Sequence, residues 1–177
     1  MDESGLLMAP LVRRSWSPAG HTPVLRQQMR THLKVSAIAA LVWDIHRRHV
    51  SLYFKLFPGI SIKTQEAMVF SRYLFRYLKG RPVLWIWDRL PVHRSKKLNG
   101  VLQSRENITA MLLPPYAPEL NPVEYVWSHL KYNLLANLAP ETLDELTDTS
   151  RHHGRRIQRK QELLQSLLFH SPLFSLD

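Results

Sequence analysis

Two neighbouring stretches of this chain alternate with a period of two residues, and they are apolar on more than one side. From 33 to 43, Leu33, Val35, Ala37, Ala39, Leu41 and Trp43 share one face. The opposite face is Lys34, Ser36, Ile38, Ala40 and Val42, apolar enough to be at least half covered. From 49 to 57, Val50, Leu52, Phe54 and Leu56 alternate with His49, Ser51, Tyr53 and Lys55. Asp44 to Arg48 makes a short turn between them, and Pro58-Gly59 closes the second stretch. This pattern predicts an antiparallel hairpin. A sheet that is apolar on both sides needs layers over both, so the hairpin demands helices elsewhere in the chain.

Those helices follow, with strands between them. Ala67, Phe70, Leu74 and Leu78, joined by Phe75, lie on one face of a helix over 63–79, and Gly80 and Pro82 stop it. Residues 83–87 (VLWIW) read as a central strand covered on both sides. Residues 95–106 read as a short helix with Leu98, Val101 and Leu102 inward, and 108–113 (ITAMLL) as another buried strand. PPYAPELNP is a stiff loop, since each proline fixes its own φ and extends its predecessor. The next helix has Asn121 as N-cap, Pro122 at the first position and Glu124 at the third. Its inward stripe is Val123, Val126, Trp127, Leu130 and Leu134. Residues 140–170 are helical, with an interruption expected near Gly154.

At the front, residues 1–12 read as the second half of a strand and its turn, with nothing before it. Residues 13–32 are Pro-, Gly- and Arg-containing and read as a loop or loose hairpin. Trp16 within it either meets a nucleic-acid backbone or folds back on the core. The order is a partial strand, a hairpin, then helix, strand, helix, strand, helix. That is an α/β fold with a mixed sheet and helices on both faces, its first strand truncated.

Length suits one core: 177 residues, with 1–140 forming the main unit and 141–177 a basic helical extension packed on or beside it. Charge is the unusual quantity. Lys and Arg number 24 against 14 Asp and Glu, giving +10, which points to a polyanion, DNA or RNA first, over a merely basic surface. There is no cysteine, which excludes disulfides, zinc thiolates and a thiol nucleophile. The start lacks a basic-then-apolar leader pattern, and no apolar run reaches the ~18 residues of a membrane span.

Against this basic background three acids stand out. Asp2 lies on the first strand, Asp88 ends the VLWIW strand, and Glu124 sits in the first turn of the helix after the proline loop. Carboxylates on separate elements can hold divalent ions that clamp an in-line displacement at phosphorus. Each also has a plain structural alternative. Asp88 is a good turn former, Glu124 a capping-box partner for Asn121, Asp2 a frayed end, and His93 a packed or capping histidine.

Three segments resemble one family: DESG with the later SWSPAGHTP, LWIWDRLPVHRSKK, and LLPPYAPELNPVEYVWSHLK. They are similar to the catalytic domain of mariner-type DDE transposases, in their bacterial insertion-sequence branch. Between Asp88 and Glu124 lie 35 residues, within that family's range. The resemblance runs from Asp2 to about Asn137. It implies a ribonuclease-H-like fold, metal-dependent cleavage at transposon ends, and attack of the freed 3′-hydroxyl on target DNA. It implies Asp2, Asp88 and Glu124 as catalytic and metal-binding triad for two Mg2+ or Mn2+ ions. His93, Asn121 and Pro122 would be supporting residues, with Asn121 and Pro122 fixing the helix that aims Glu124. DNA would be met by Arg13, Arg14, Arg89, Arg94, Lys96, Lys97, Lys131, Arg155 and Arg156. Arg89 departs from the family, which usually has a small or amide residue there, and it can face either Asp88 or a phosphate. The family's helix-turn-helix region would precede Met1. A homodimer or a partner transposase subunit is expected, no membrane, and a place in the bacterial cytoplasm at the nucleoid. The alternative function is a catalytically inactive relic that binds DNA or a full-length transposase.

Overall fold

A computed structural model describes residues 1–9, 11–25 and 33–174. The part of the 13–32 loop from 26 to 32, and the last residues 175–177, lie outside the described residues. Three strands form one antiparallel sheet in the order β1 (Asp2–Leu7), β2 (Lys34–Asp44), β3 (His49–Pro58). The predicted hairpin is β2–β3, with Trp43 opposite Val50 and Val35 opposite Pro58. A parallel pair, β4 (Val83–Trp87) and β5 (Ile108–Leu112), forms a second sheet. The two meet where the Met1 nitrogen donates to Ile86 O at 2.9 Å.

Both faces of the hairpin are covered, as its composition demanded. Val35, Ala37 and Ala39 pack with Val50 and Leu52 against α3 (Pro122–His129), α4 (Leu143–Gln158) and α5 (Gln161–Phe169). Ile38 and Ala40, on the other face, pack with Phe70 and Leu74 of α1 (Thr64–Leu78) and Leu98 of α2 (Lys96–Gln103). Burying a Leu- or Phe-sized side chain contributes roughly 1.5–3 kcal/mol, so the fold rests on two such layers. Among the described residues, no helix is long and apolar enough to cross a membrane.

Three local expectations change. The helical region is not broken at Gly154. α4 runs through it, and the break falls at Arg159 and Lys160. A Cβ on Gly154 would lie 2.5 Å from Phe54 Cζ, so the glycine lets α4 approach β3 closely. β4 is fully covered on one face and partly on the other: Trp85 and Trp87 are buried, whereas Ile86 is half-buried and Leu84 is 54% exposed. β5, paired with β4 alone, is not buried either, being exposed from Thr109 to Leu112.

Candidate active site

Alternation along β1 sends two adjacent acids to opposite sides. Asp2 points toward α3, where its Oδ2 accepts from Trp127 Nε1 at 2.8 Å. Both groups are buried. Burial pushes the Asp2 carboxyl up, with repulsion from Glu124 adding to it, to about 7. Glu3 points the other way, and its Oε1 lies 2.8 Å from His93 Nε2.

Asp88 follows β4 and starts a turn, accepting from Leu90 N–H at 3.0 Å through Oδ1. The same oxygen lies 2.5 Å from His93 Nδ1. His93 is fully buried, and its ring stacks on Trp87 with centroids 4.8 Å apart and planes at 10°. Burial opposes charge on the imidazole, but the hydrogen bonds and charges of Asp88 and Glu3 outweigh it and push His93 up to about 9. For Asp88 burial raises the carboxyl, yet the His93 and Leu90 hydrogen bonds hold it below the ordinary value. Arg89 turns away from Asp88: its Nε donates to Leu113 O at 2.9 Å.

Glu124 comes from the first turn of α3. Asn121 Oδ1 accepts from Val123 N–H at 3.2 Å, and Pro122 takes the first helical position. The Asn121 N–H donates instead to Pro118 O at 2.9 Å, so the capping-box alternative for Glu124 does not describe this helix. Burial raises the Glu124 carboxyl, Lys131 opposes, and Asp88 adds repulsion. One helical turn beyond Glu124 stands Trp127, so one element presents Glu124 and holds Asp2. α3 then widens into a π-helical turn, Leu130–Leu134, where Leu135 N–H donates to Leu130 O at 2.9 Å.

Asp2, Asp88 and Glu124 thus come from three elements, with Glu124 and Asp88 repelling charge on Asp2 and Asp88 repelling charge on Glu124. Their donor chemistry, hard carboxylate oxygen without thiolate, fits Mg2+ or Mn2+. Among the described residues, no three His, Cys, Asp or Glu side chains stand close enough together to hold a metal ion. Asp88 is engaged instead by His93, whose Nδ1 lies against its Oδ1.

The basic residues occupy several surfaces. Arg14, Arg94, Lys96, Lys97, Arg155 and Arg156 are exposed, and Lys131 is half-buried near Glu124. Arg13 docks its loop onto the π turn, its N–H donating to Asn137 Oδ1 at 2.8 Å and its guanidinium to Tyr132 O at 3.1 Å. Trp16 is fully exposed, so it does not fold back on the core.

Two residues of the site escaped the sequence reading. Glu3 looked like part of a chain end, and Trp127 like one more residue of an apolar stripe. The available signals were the adjacent Asp-Glu on an alternating strand, and an indole N–H on a helix that must be buried and so needs an acceptor.

A family model described as DDE superfamily endonuclease matches residues 1–147. Among solved structures, the Mos1 transposase paired-end complex with left transposon end aligns with a TM-score of 0.68 at 18% identity, over 98% of this chain and 51% of that one. The Mos1 transposase catalytic domain with Raltegravir and Mg aligns at 0.56 and 18% identity, over 80% of this chain and 71% of that one. An uncharacterised protein of Sinorhizobium fredii, y4pE/y4sA, is 39% identical over 67 residues, covering 38% of this chain and 47% of its own length. The chain therefore spans about half the length of the Mos1 protein in the paired-end complex. The structural likeness establishes the ribonuclease-H-like fold, and the match over residues 1–147 establishes the family: the chain belongs to the DDE superfamily endonucleases.

Proposed function

We propose that this chain is the catalytic part of a mariner-type transposase of an insertion sequence, cleaving DNA strands at transposon ends and joining them to target DNA. What supports this reading is the family match over residues 1–147 together with three acids, Asp2, Asp88 and Glu124, that come from β1, the end of β4 and α3, with Asp88 and Glu124 each repelling charge on Asp2. Solved relatives include a Mos1 mariner paired-end complex with Mn and another with Mg.

Mg2+ or Mn2+, a pair of ions held by Asp2, Asp88 and Glu124, would supply positive charge to the attacking and leaving oxygens of the phosphodiester. The chain's own residues provide the rest. Trp127 orients Asp2, His93 orients Asp88, and the Asn121 cap with Pro122 sets the start of the helix that carries Glu124. Arg14, Arg94, Lys96, Lys97, Arg155 and Arg156 are exposed to meet a phosphate backbone. Arg13 and Arg89 already donate to backbone carbonyls and contribute charge more than free donors. The helices beyond 140 act as a basic extension of the catalytic unit, on a dimer working at the nucleoid.

The test is nicking of supercoiled DNA with and without Mn2+ by wild type, Asp88→Asn and Glu124→Gln. Metal-dependent nicking is expected from the wild type and is lost in both variants. Equal nicking by all three would remove the site assignment. A second reading is a DNA-binding relic without catalysis, favoured by the engagement of Asp88 with His93. It predicts salt-sensitive DNA binding with no nicking by any of the three proteins.

A further inference from the structure

Glu3 is an expensive residue to place where it is. It lies on β1 opposite Ile38, which is fully buried in the layer under α1 and α2. An apolar side chain would suit that position on packing grounds alone. Its carboxylate is instead mostly enclosed: one oxygen reaches His93 Nε2 at 2.8 Å, and Oε2 is buried with no hydrogen-bond partner among the described residues. Enclosing a carboxylate with one oxygen unsatisfied is unfavourable, so Glu3 stands here at a cost to the fold.

The geometry of His93 shows what Glu3 accomplishes. Its ring is gripped on three sides, by Asp88 at Nδ1, by Glu3 at Nε2 and by the indole face of Trp87. Asp88 fixes one ring nitrogen and Trp87 fixes the ring plane, which leaves rotation within that plane. Glu3 removes this freedom, because a ring held at both nitrogens has one orientation. It also anchors that orientation to β1, the strand that carries Asp2 on its other side. We infer that Glu3 is a positioning residue which, through His93, sets the place of the Asp88 carboxylate relative to Asp2.

This inference rests on the assignment of Asp88 to a metal site, and the test separates the two. Mn2+ affinity of the full chain is measured by the EPR signal of the free ion, without DNA, for wild type, Asp88→Asn, Glu3→Met, Glu3→Gln and Glu3→Asp. Glu3→Gln keeps an oxygen that accepts from Nε2, so it binds Mn2+ as the wild type does. Glu3→Met has similar length and no such acceptor, and its affinity falls about 10–100-fold, the usual effect of losing an outer partner of a ligand. Glu3→Asp keeps the charge but is one methylene short, and it falls in the same direction. Far-UV circular dichroism and the thermal midpoint establish that each variant is folded. Where Glu3→Met does not fold, the Gln and Asp pair decides. Rescue by Gln and failure of Asp supports positioning, and rescue by Asp with failure of Gln overturns it in favour of a direct charge effect. Unchanged affinity in both Glu3→Met and Glu3→Asp also overturns it. If Asp88→Asn binds Mn2+ like the wild type, the metal-site assignment itself fails, whatever Glu3 does.

Discussion

Replacing Trp127 by Phe isolates one hydrogen bond in the site. The indole Nε1 donates to Asp2 Oδ2 at 2.8 Å, and the two residues are only 3% and 2% exposed. Water cannot readily take over the bond, so Phe leaves a carboxylate oxygen buried and unpaired. A hydrogen bond to a charged group of this kind contributes ~1.5–3 kcal/mol, against ~0.5–1.5 kcal/mol for a neutral pair. The Asp2 carboxyl is pushed up to about 7, so it is protonated in the folded chain at pH 5.5 and ionised at pH 8.5. Trp127→Phe disfavours the ionised form further, and its extra cost therefore appears on the alkaline side of 7. The difference in stability loss between pH 8.5 and pH 5.5 is ~1–1.5 kcal/mol. Truncation of the indole adds a packing loss of about 1 kcal/mol at both pH values. The assay is urea unfolding followed by circular dichroism at both pH values, in EDTA. With a urea dependence of about 1–3 kcal/mol per molar, the midpoint moves down by ~1–2 M at pH 8.5 and by less at pH 5.5. An equal loss at the two pH values would refute the link between Trp127 and an ionised Asp2.

Stability of the metal-free protein also responds to His93. Its folded value of about 9 lies above the ordinary 6.5. It therefore contributes ~3 kcal/mol that is complete below about pH 6.5 and is lost as pH rises through about 9. Urea midpoints between pH 7 and 9.5 fall in the wild type, and the fall flattens in His93→Asn. Gly154→Ala gains up to about 1 kcal/mol in helix propensity but places a Cβ against the Phe54 ring, an overpacking of ~1–3 kcal/mol. Its thermal midpoint is expected to drop, and to drop less in a Phe54→Leu background. Changing exposed Arg155 and Arg156 to Ala lowers DNA affinity, and it reduces the slope of log affinity against log salt by about 2 if both meet phosphates.

What was legible in the chain follows the range of the interaction that decides it. The β2–β3 hairpin shows in its alternation, and the start of α3 shows in Asn121-Pro122, because both signals lie within a few residues. Gly154 reads as a helix break for the same reason. A glycine in a helical stretch weakens it locally, and only the ring of Phe54, a hundred residues earlier, gives the position a purpose. The exposure of β5 depends on which elements lie over its faces, which ITAMLL alone does not contain. Glu3 to His93 and Asp2 to Trp127 are likewise contacts across most of the chain, separated by 90 and 125 residues.

Those two contacts explain how a site made of mutually repelling acids can stand in a folded protein. Two of the three carboxylates, Asp2 and Glu124, sit where charge is disfavoured, while hydrogen bonds favour it on Asp88. Burial and Glu124 work against charge on Asp2, and burial and Asp88 work against charge on Glu124. Each of β1's two acids is instead tied to the element that presents another acid: Asp2 to α3 through Trp127, and Glu3 to the turn of Asp88 through His93. The strand thereby fixes both neighbours with donors that carry no negative charge, an indole N–H and an imidazole. On the proposed reading, a cation bound among Asp2, Asp88 and Glu124 would relieve the repulsion that Glu124 and Asp88 exert on Asp2. In this arrangement the neutral and basic partners, Trp127 and His93, are as necessary to the acidic centre as the acids are.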